Sequence, residues 1–198
     1  MHALAYRLPT ADDLLGLDPS RSWEILSGEI VERAMPAGKH GLAQAYSSAE
    51  LIPTYGRRRG PDGRGGWWIL TEPTVQLDLE NVVQPDVAGW RRDRVPTAPT
   101  GYPVLERPDW VCEILSPATR ARDLSDKRRL YHRAAIPHYW ILDPDLRFLT
   151  VLRWTEAGYL IALTATAEER VHAEPFDALE IRVGALLGED EPEPAPGG

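Results

Sequence analysis

The tightest constraint on this chain is a change of period inside one stretch. Across DWVCEILSPATRARDLSDKRRLYHRAAIPHYWILD, residues 109–143, an apolar, β-compatible run gives way to helical spacing, and IPHYWILD then returns to strand. Between residues 119 and 135, Leu124, Arg128 and Tyr131 fall on one helical face, and Asp123, Lys127, Leu130 and Ala134 on an adjoining one. A chain that switches between these periods must lay helices against a sheet, which excludes a bundle or a sandwich.

The flanking sequence extends the pattern. Thr10 with Asp13 reads as the cap of a short helix, and WEILSGEIVE, residues 23–32, as an N-terminal hairpin around Ser27-Gly28. Residues 41–55 have the spacing of an amphipathic helix, and RRRGPDGRGG is a loop. Three strands are expected in WWIL, in TVQLDL with Val75, Leu77 and Leu79 on one face, and in VVQPDVAGW from Val82. LRFLTVLRW and YLIALTAT predict a C-terminal hairpin closed at Glu156-Ala157-Gly158, while DALEIRVGALLG fits either a strand or a helix. The expected fold is therefore α/β or α+β, a mixed β-sheet core flanked by helices. One domain is expected over residues 1–187, with an acidic, proline-rich and disordered tail over residues 188–198.

Composition narrows the function. The net charge of -8 argues against a protein that grips nucleic acid by bulk electrostatics, although arginines cluster locally at 57–64, 91–94 and 120–133. Cys112 is the only cysteine, so no disulfide framework is available within one chain and a reducing interior suits it. No stretch approaches the ~18 to 20 apolar residues of a membrane span, and the start lacks a basic region followed by a long apolar segment. A soluble, cytoplasmic protein is the expectation.

The charged residues inside apolar runs carry the chemical signal. In a strand, Val111, Glu113 and Leu115 share one face, so the Glu113 carboxylate is partly buried and needs a cation or hydrogen bonds. An arginine salt bridge or a water-facing sheet edge would answer that need, and so would a metal ion. Asp86 follows Pro85, which sets it at an edge, bulge or strand end. Two carboxylates on neighbouring strands would make an oxygen-rich site of the kind that binds Mg²⁺ or Mn²⁺. Lys127 stands out in a chain whose 22 basic residues are otherwise 20 arginines and Lys39. A compact ammonium there suits a metal-bound water or a developing phosphorane charge. Glu29, His40 and Asp123 are supporting candidates, each with an equally ordinary structural reading. Neither a phosphate-cradling glycine loop nor HExxH is present.

QPDV around Asp86, the run EILSP, the D-x-x-x-K helix and the strand AAIPHYWILDP together resemble the Uma-type restriction endonucleases of the PD-(D/E)xK nuclease superfamily. The resemblance runs from about Trp23 to the IRVGALL segment. It implies a restriction-endonuclease-like sheet, Asp86 and Glu113 as metal ligands, Mg²⁺ or Mn²⁺ as cofactor, and hydrolysis of nucleic acid, DNA first. The superfamily lysine usually stands two residues after the second acid, where this chain has Leu115, so Lys127 is the implied replacement. Arg57, Arg58, Arg91, Arg92, Arg120 and Arg122 would track phosphates rather than read bases. By analogy with enzymes that cut both strands, a homodimer is expected. Two other classes use the same residues: a binding or assembly module that retains the fold without cleavage, and a metal-dependent hydrolase of a small phosphate.

Overall fold

A computed structural model describes residues 7–34, 38–62 and 64–191. Residues 192–198, most of the expected tail, lie outside that range.

The chain opens with α1 (Ala11–Leu15), where the Asp13 carboxylate accepts the Thr10 N–H as the cap pattern requires. A hairpin follows, β1 (Ser22–Leu26) and β2 (Glu29–Arg33). Its two-residue turn has φ 53° at Ser27 and 78° at Gly28, the left-handed pair that matches strand twist. Helix α2 (Gly38–Tyr55) leads to β3 (Trp67–Thr71), β4 (Val75–Asp78), β5 (Asn81–Val83) and β6 (Val87–Arg91).

Two sequence expectations are corrected here. VVQPDVAGW is two strands, not one, because Pro85 interrupts the ladder, and β5 and β6 belong to different sheets. Leu79 does not continue the face of Val75 and Leu77: a register shift between Gln76 and Asp78 ends the alternation, and Leu79 is exposed.

The central unit is β7 (Trp110–Ile114), the short helix α3 (Arg120–Arg122), a π-helical turn (Asp123–Lys127), α4 (Arg128–Arg133) and β8 (His138–Asp143). Because the helix crosses over, β7 and β8 pair in parallel, whereas the other pairs in this sheet are antiparallel. The inward face of the crossover is Asp123, Lys127, Leu130 and Tyr131, while Leu124 and Arg128, expected to accompany Tyr131, point to solvent. The hairpin β9 (Phe148–Thr155) and β10 (Gly158–Thr166) completes a six-stranded sheet ordered β10-β9-β8-β7-β6-β3. A second sheet is ordered β2-β1-β5-β4. The undecided C-terminal segment is both things in turn, β12 (Ile181–Arg182), which pairs with β11 (Arg170–Val171), and then α5 (Val183–Leu186).

Each face of the six-stranded sheet is covered. Trp110, Cys112 and Ile114 pack with Ala43, Leu51, Tyr55 and Phe176 on one side, whereas Val111 and Leu115 pack with Leu130, Tyr131 and Tyr139 on the other. Phe176 lies with its ring centroid within 4.7–5.6 Å of those of Tyr55, Trp67, Trp110 and Trp140. Glu113 therefore points, with Val111 and Leu115, toward the crossover helix. Glu189 and Glu191, at the start of the acidic tail, pair with Arg147 and Arg170. No described helix is long and apolar enough to cross a membrane.

Candidate active site

Asp86 occupies the break between the two sheets. Val87 of β6 pairs with Cys112 of β7, so extending that register by one residue sets Asp86 opposite Glu113. The ladder stops there, and the Asp86 side chain takes its place: Oδ2 accepts the Ile114 N–H at 2.7 Å. Oδ1 accepts from the Arg33 guanidinium at 2.5 Å, and His40 Nε2 lies 3.1 Å from Oδ2. Burial alone would raise this carboxyl, but the His40 hydrogen bond and the Arg33 charge outweigh it and hold it below its ordinary value. Gln44 fixes the same residue from behind by donating to its carbonyl oxygen at 2.9 Å.

Glu113 is 1% exposed and meets the crossover helix. The Lys127 ammonium donates to its Oε1 at 3.0 Å and to Glu24 Oε1 at 2.9 Å, with Asp123 Oδ1 at 3.9 Å. Tyr131 donates its hydroxyl to the same Glu113 oxygen. Glu24 also accepts the Gln84 N–H at 2.7 Å, while its other oxygen is buried without a hydrogen-bond partner, as is His40 Nδ1. The π-turn that carries Asp123 and Lys127 adds a residue to one helical turn, a feature that recurs at functional sites.

The charges do not balance. Four carboxylates, Glu24, Asp86, Glu113 and Asp123, share a cavity of about 10 Å³ with three fixed cations, Arg33, Lys127 and Arg122 at its rim, a formal excess of one negative charge. Burial first, then the neighbouring Asp86, Asp123 and Glu24, push the Glu113 carboxyl from an ordinary 4.5 up to about 8 against the pull of Lys127. Burial would lower Lys127, but Glu113, Glu24 and Asp123 hold it above its ordinary value, so it is an ammonium at neutral pH.

The pH dependence of stability follows. Between pH 4.5 and about 8 the native chain keeps a proton on Glu113 that the unfolded chain has released, so stability falls as pH rises through that window. One proton is worth at most about 1.4 kcal/mol per pH unit. Urea unfolding in EDTA should show this slope, and Glu113→Gln should flatten it.

Of the residues singled out in the sequence, Asp86, Glu113, Lys127, His40 and Asp123 line this one cavity, and so does Arg122, which also donates to the Glu32 carbonyl at 3.3 Å. Glu29 does not: it sits exposed at the turn end of β2, the outer strand, whereas β1 lies between β2 and β5 and turns Glu24 inward. The hairpin thus supplies Glu24 and Arg33 in its stead. Glu24 carries the same signal that marks Glu113, a charge set within an apolar WEIL run, but Arg33 and Tyr131 carry none. The other arginines lie elsewhere. Arg120 pairs with Asp143, Arg91 pairs with Asp93, Arg92 stacks on Trp68, and Arg57 and Arg58 are exposed on the loop after α2.

Among the described residues, no group of three or more His, Cys, Asp or Glu side chains is already drawn together as a metal cage.

The fold is a mixed sheet with facing acids at the end of two neighbouring strands, covered by a crossover helix. It is similar to the crystal structure of a "putative nuclease belonging to DUF820" from Anabaena variabilis ATCC 29413, with a TM-score of 0.70 and 21% identity, covering 91% of this chain and 98% of that one. The chain belongs to the Uma2 family, described as "Putative restriction endonuclease", which matches residues 7–184. No curated protein matches it.

Proposed function

We propose that this protein is a divalent-metal-dependent endonuclease that hydrolyses phosphodiester bonds of nucleic acid, DNA first. The observation that carries the reading is the convergence of Asp86 and Glu113, from adjacent strands, with the Lys127 ammonium on one small acid-rich cavity. The donor set fits a hard cation. Its acidic groups offer oxygen ligands, Glu24 holds a buried oxygen with no hydrogen-bond partner, and a cation would offset the excess of carboxylates. Asp86 and Glu113 would hold the ion, with Glu24 as a third oxygen ligand.

When bound, Mg²⁺ or Mn²⁺ supplies a Lewis acid that acidifies water and neutralises charge on a leaving oxygen. The chain's own residues do the rest. Arg33 and His40 keep Asp86 ionised and aimed, and Tyr131 fixes the rotamer of Glu113. Lys127 holds its proton, so its part is to place positive charge beside a phosphate as negative charge develops there, not to accept a proton. Arg122 at the rim offers a phosphate contact. The single buried Cys112 suits a cytoplasmic setting, and a homodimer would give two sites for two strands.

The test is incubation of supercoiled plasmid, linear duplex and single strands with Mg²⁺ or Mn²⁺, beside Glu113→Ala. Cleavage lost in the variant supports the reading, and cleavage that persists in it sinks the assignment. No cleavage of any substrate by the native chain favours the binding module, in which Lys127 serves only to neutralise Glu113 and Glu24. A second measurement addresses the hairpin: Glu24→Gln should weaken Mg²⁺ binding, read by calorimetry, roughly tenfold or more.

A further inference from the structure

The acid cavity leaves most of the chain's arginines unused, and four of them meet somewhere else. Arg58, Arg59, Arg91 and Arg92 line a cleft of about 680 Å³ together with Trp67, Trp68 and the prolines Pro96 and Pro175. This volume is that of a small-molecule site rather than a hole for a lone ion. Asp86 precedes β6 and Arg91 ends it, so at ~3.3 Å per residue the two sites stand ~17 Å apart.

The cleft is built and fixed. After α2 the chain turns back so that the Gly66 N–H donates to the Arg57 carbonyl at 2.6 Å and the Arg92 N–H donates to the Gly66 carbonyl at 2.8 Å. Gly65, at φ 82°, is required for this path, because a Cβ there would come 2.4 Å from the Arg58 carbonyl oxygen. Arg92 forms the floor: its guanidinium lies 3.5 Å from the Trp68 ring centroid and donates to the carbonyls of Trp67 and Gly56. Arg91 is held by Asp93. Among the described residues, Arg58 and Arg59 have neither an ion pair nor a side-chain hydrogen bond, and both are exposed. With Asp93 and Asp177 counted against the four arginines, the cleft keeps two positive charges on a chain whose net charge is -8. Paired guanidinium groups match phosphate oxygens in two-point contacts, and Trp68, Pro96 and Pro175 add apolar surface beside them.

We propose that this cleft is a second ligand site, separate from the acid cavity, that takes a phosphate-bearing molecule of nucleotide size. Arg58 and Arg59 close on the phosphate, and Arg92 on Trp68 forms the floor beneath it. Two sources present that chemistry, a free nucleotide and the 5′-phosphorylated end of a nucleic-acid strand. Occupancy needs neither Glu113 nor a metal, so the site stands or falls apart from the cleavage reading.

The test is calorimetric titration of the full chain in EDTA at low salt with AMP, ATP, inorganic phosphate, and a short strand with or without a 5′ phosphate. AMP or ATP should saturate a single site. Arg58→Ala/Arg59→Ala should weaken binding about tenfold or more while thermal unfolding stays unchanged, since both side chains are exposed. Glu113→Ala should bind as the native chain does. Competition with AMP by the 5′-phosphorylated strand alone identifies a strand end as the occupant, and competition by neither strand identifies a free nucleotide. The proposal is overturned if no nucleotide saturates, if the double variant binds as tightly as the native chain, or if inorganic phosphate binds as well as AMP.

Discussion

Replacing Lys127 with methionine should lower the unfolding free energy by about 3–5 kcal/mol and abolish cleavage. The side chain is 2% exposed and its ammonium is the nearest cation to both Glu113 and Glu24, at 3.0 and 2.9 Å. Methionine keeps an unbranched chain of similar volume, so the loss is chiefly electrostatic: Glu24, Glu113 and Asp123 would lose the ammonium they share. The loss should also depend on pH. Glu113, already pushed up to about 8, can escape by taking a proton, so the variant should be closer to the native chain at pH 6 than at pH 8.5. Urea denaturation at the two pH values measures this, and a second substitution, Glu24→Gln, should restore part of the stability by removing one of the acids left without its partner. Equal losses at both pH values, with no rescue, would mean that Lys127 is not the counter-ion of this cluster.

Asp86→Ala should be comparably severe, about 3–5 kcal/mol, because one carboxylate satisfies three donors. Its removal strands the Arg33 guanidinium, the His40 ring and the Ile114 N–H in a buried place. Asp86→Asn should cost less in stability, since the amide oxygen can still accept from one or two of them, yet it should lose Mg²⁺ binding and cleavage as fully as alanine does. That separation of stability from activity distinguishes a ligand from a bolt between two sheets. The acid limb of the native pH profile belongs here too. Held below its ordinary 3.8, ionised Asp86 stabilises the fold above that pH, and the contribution fades as pH falls through the lower native value. Stability should therefore decline on both sides of a mildly acidic optimum, through Asp86 below it and Glu113 above it.

The sequence was most informative where a charge interrupts an apolar run. Glu113 in VCEIL is visible because period two assigns it a face shared with Val111 and Leu115, and that face is buried. Pro85 makes Asp86 visible, because a proline without an N–H sets it at an edge, bulge or strand end; that the chain breaks there into two strands came from the structure. Lys127 is visible by rarity. The sequence points to Glu29 and not to Glu24 because it does not show which of the two hairpin arms is the outer strand. That depends on β5, far along the chain, docking at Val82 against Ile25 of β1. The same docking brings Arg33 onto Asp86, a pairing with no local sign. The arginines were legible only as clusters: charge and glycine content placed them on loops, but neither could separate Arg122 at the acid cavity from Arg58 and Arg92 at a cleft ~17 Å away.

By itself, the sequence determined the strand-helix-strand order, the face of Glu113, the irregular position of Asp86 after Pro85 and the scarcity of lysine, because these depend on dihedral period, the missing proline N–H and composition. Only the tertiary structure decided that Glu24, Arg33, Asp86, Glu113 and Lys127 meet, because each comes from a different element and their approach is set by sheet order and helix crossover. It also decided that the crossover lysine carries its proton, since the pKa of a buried group depends on the charges packed around it.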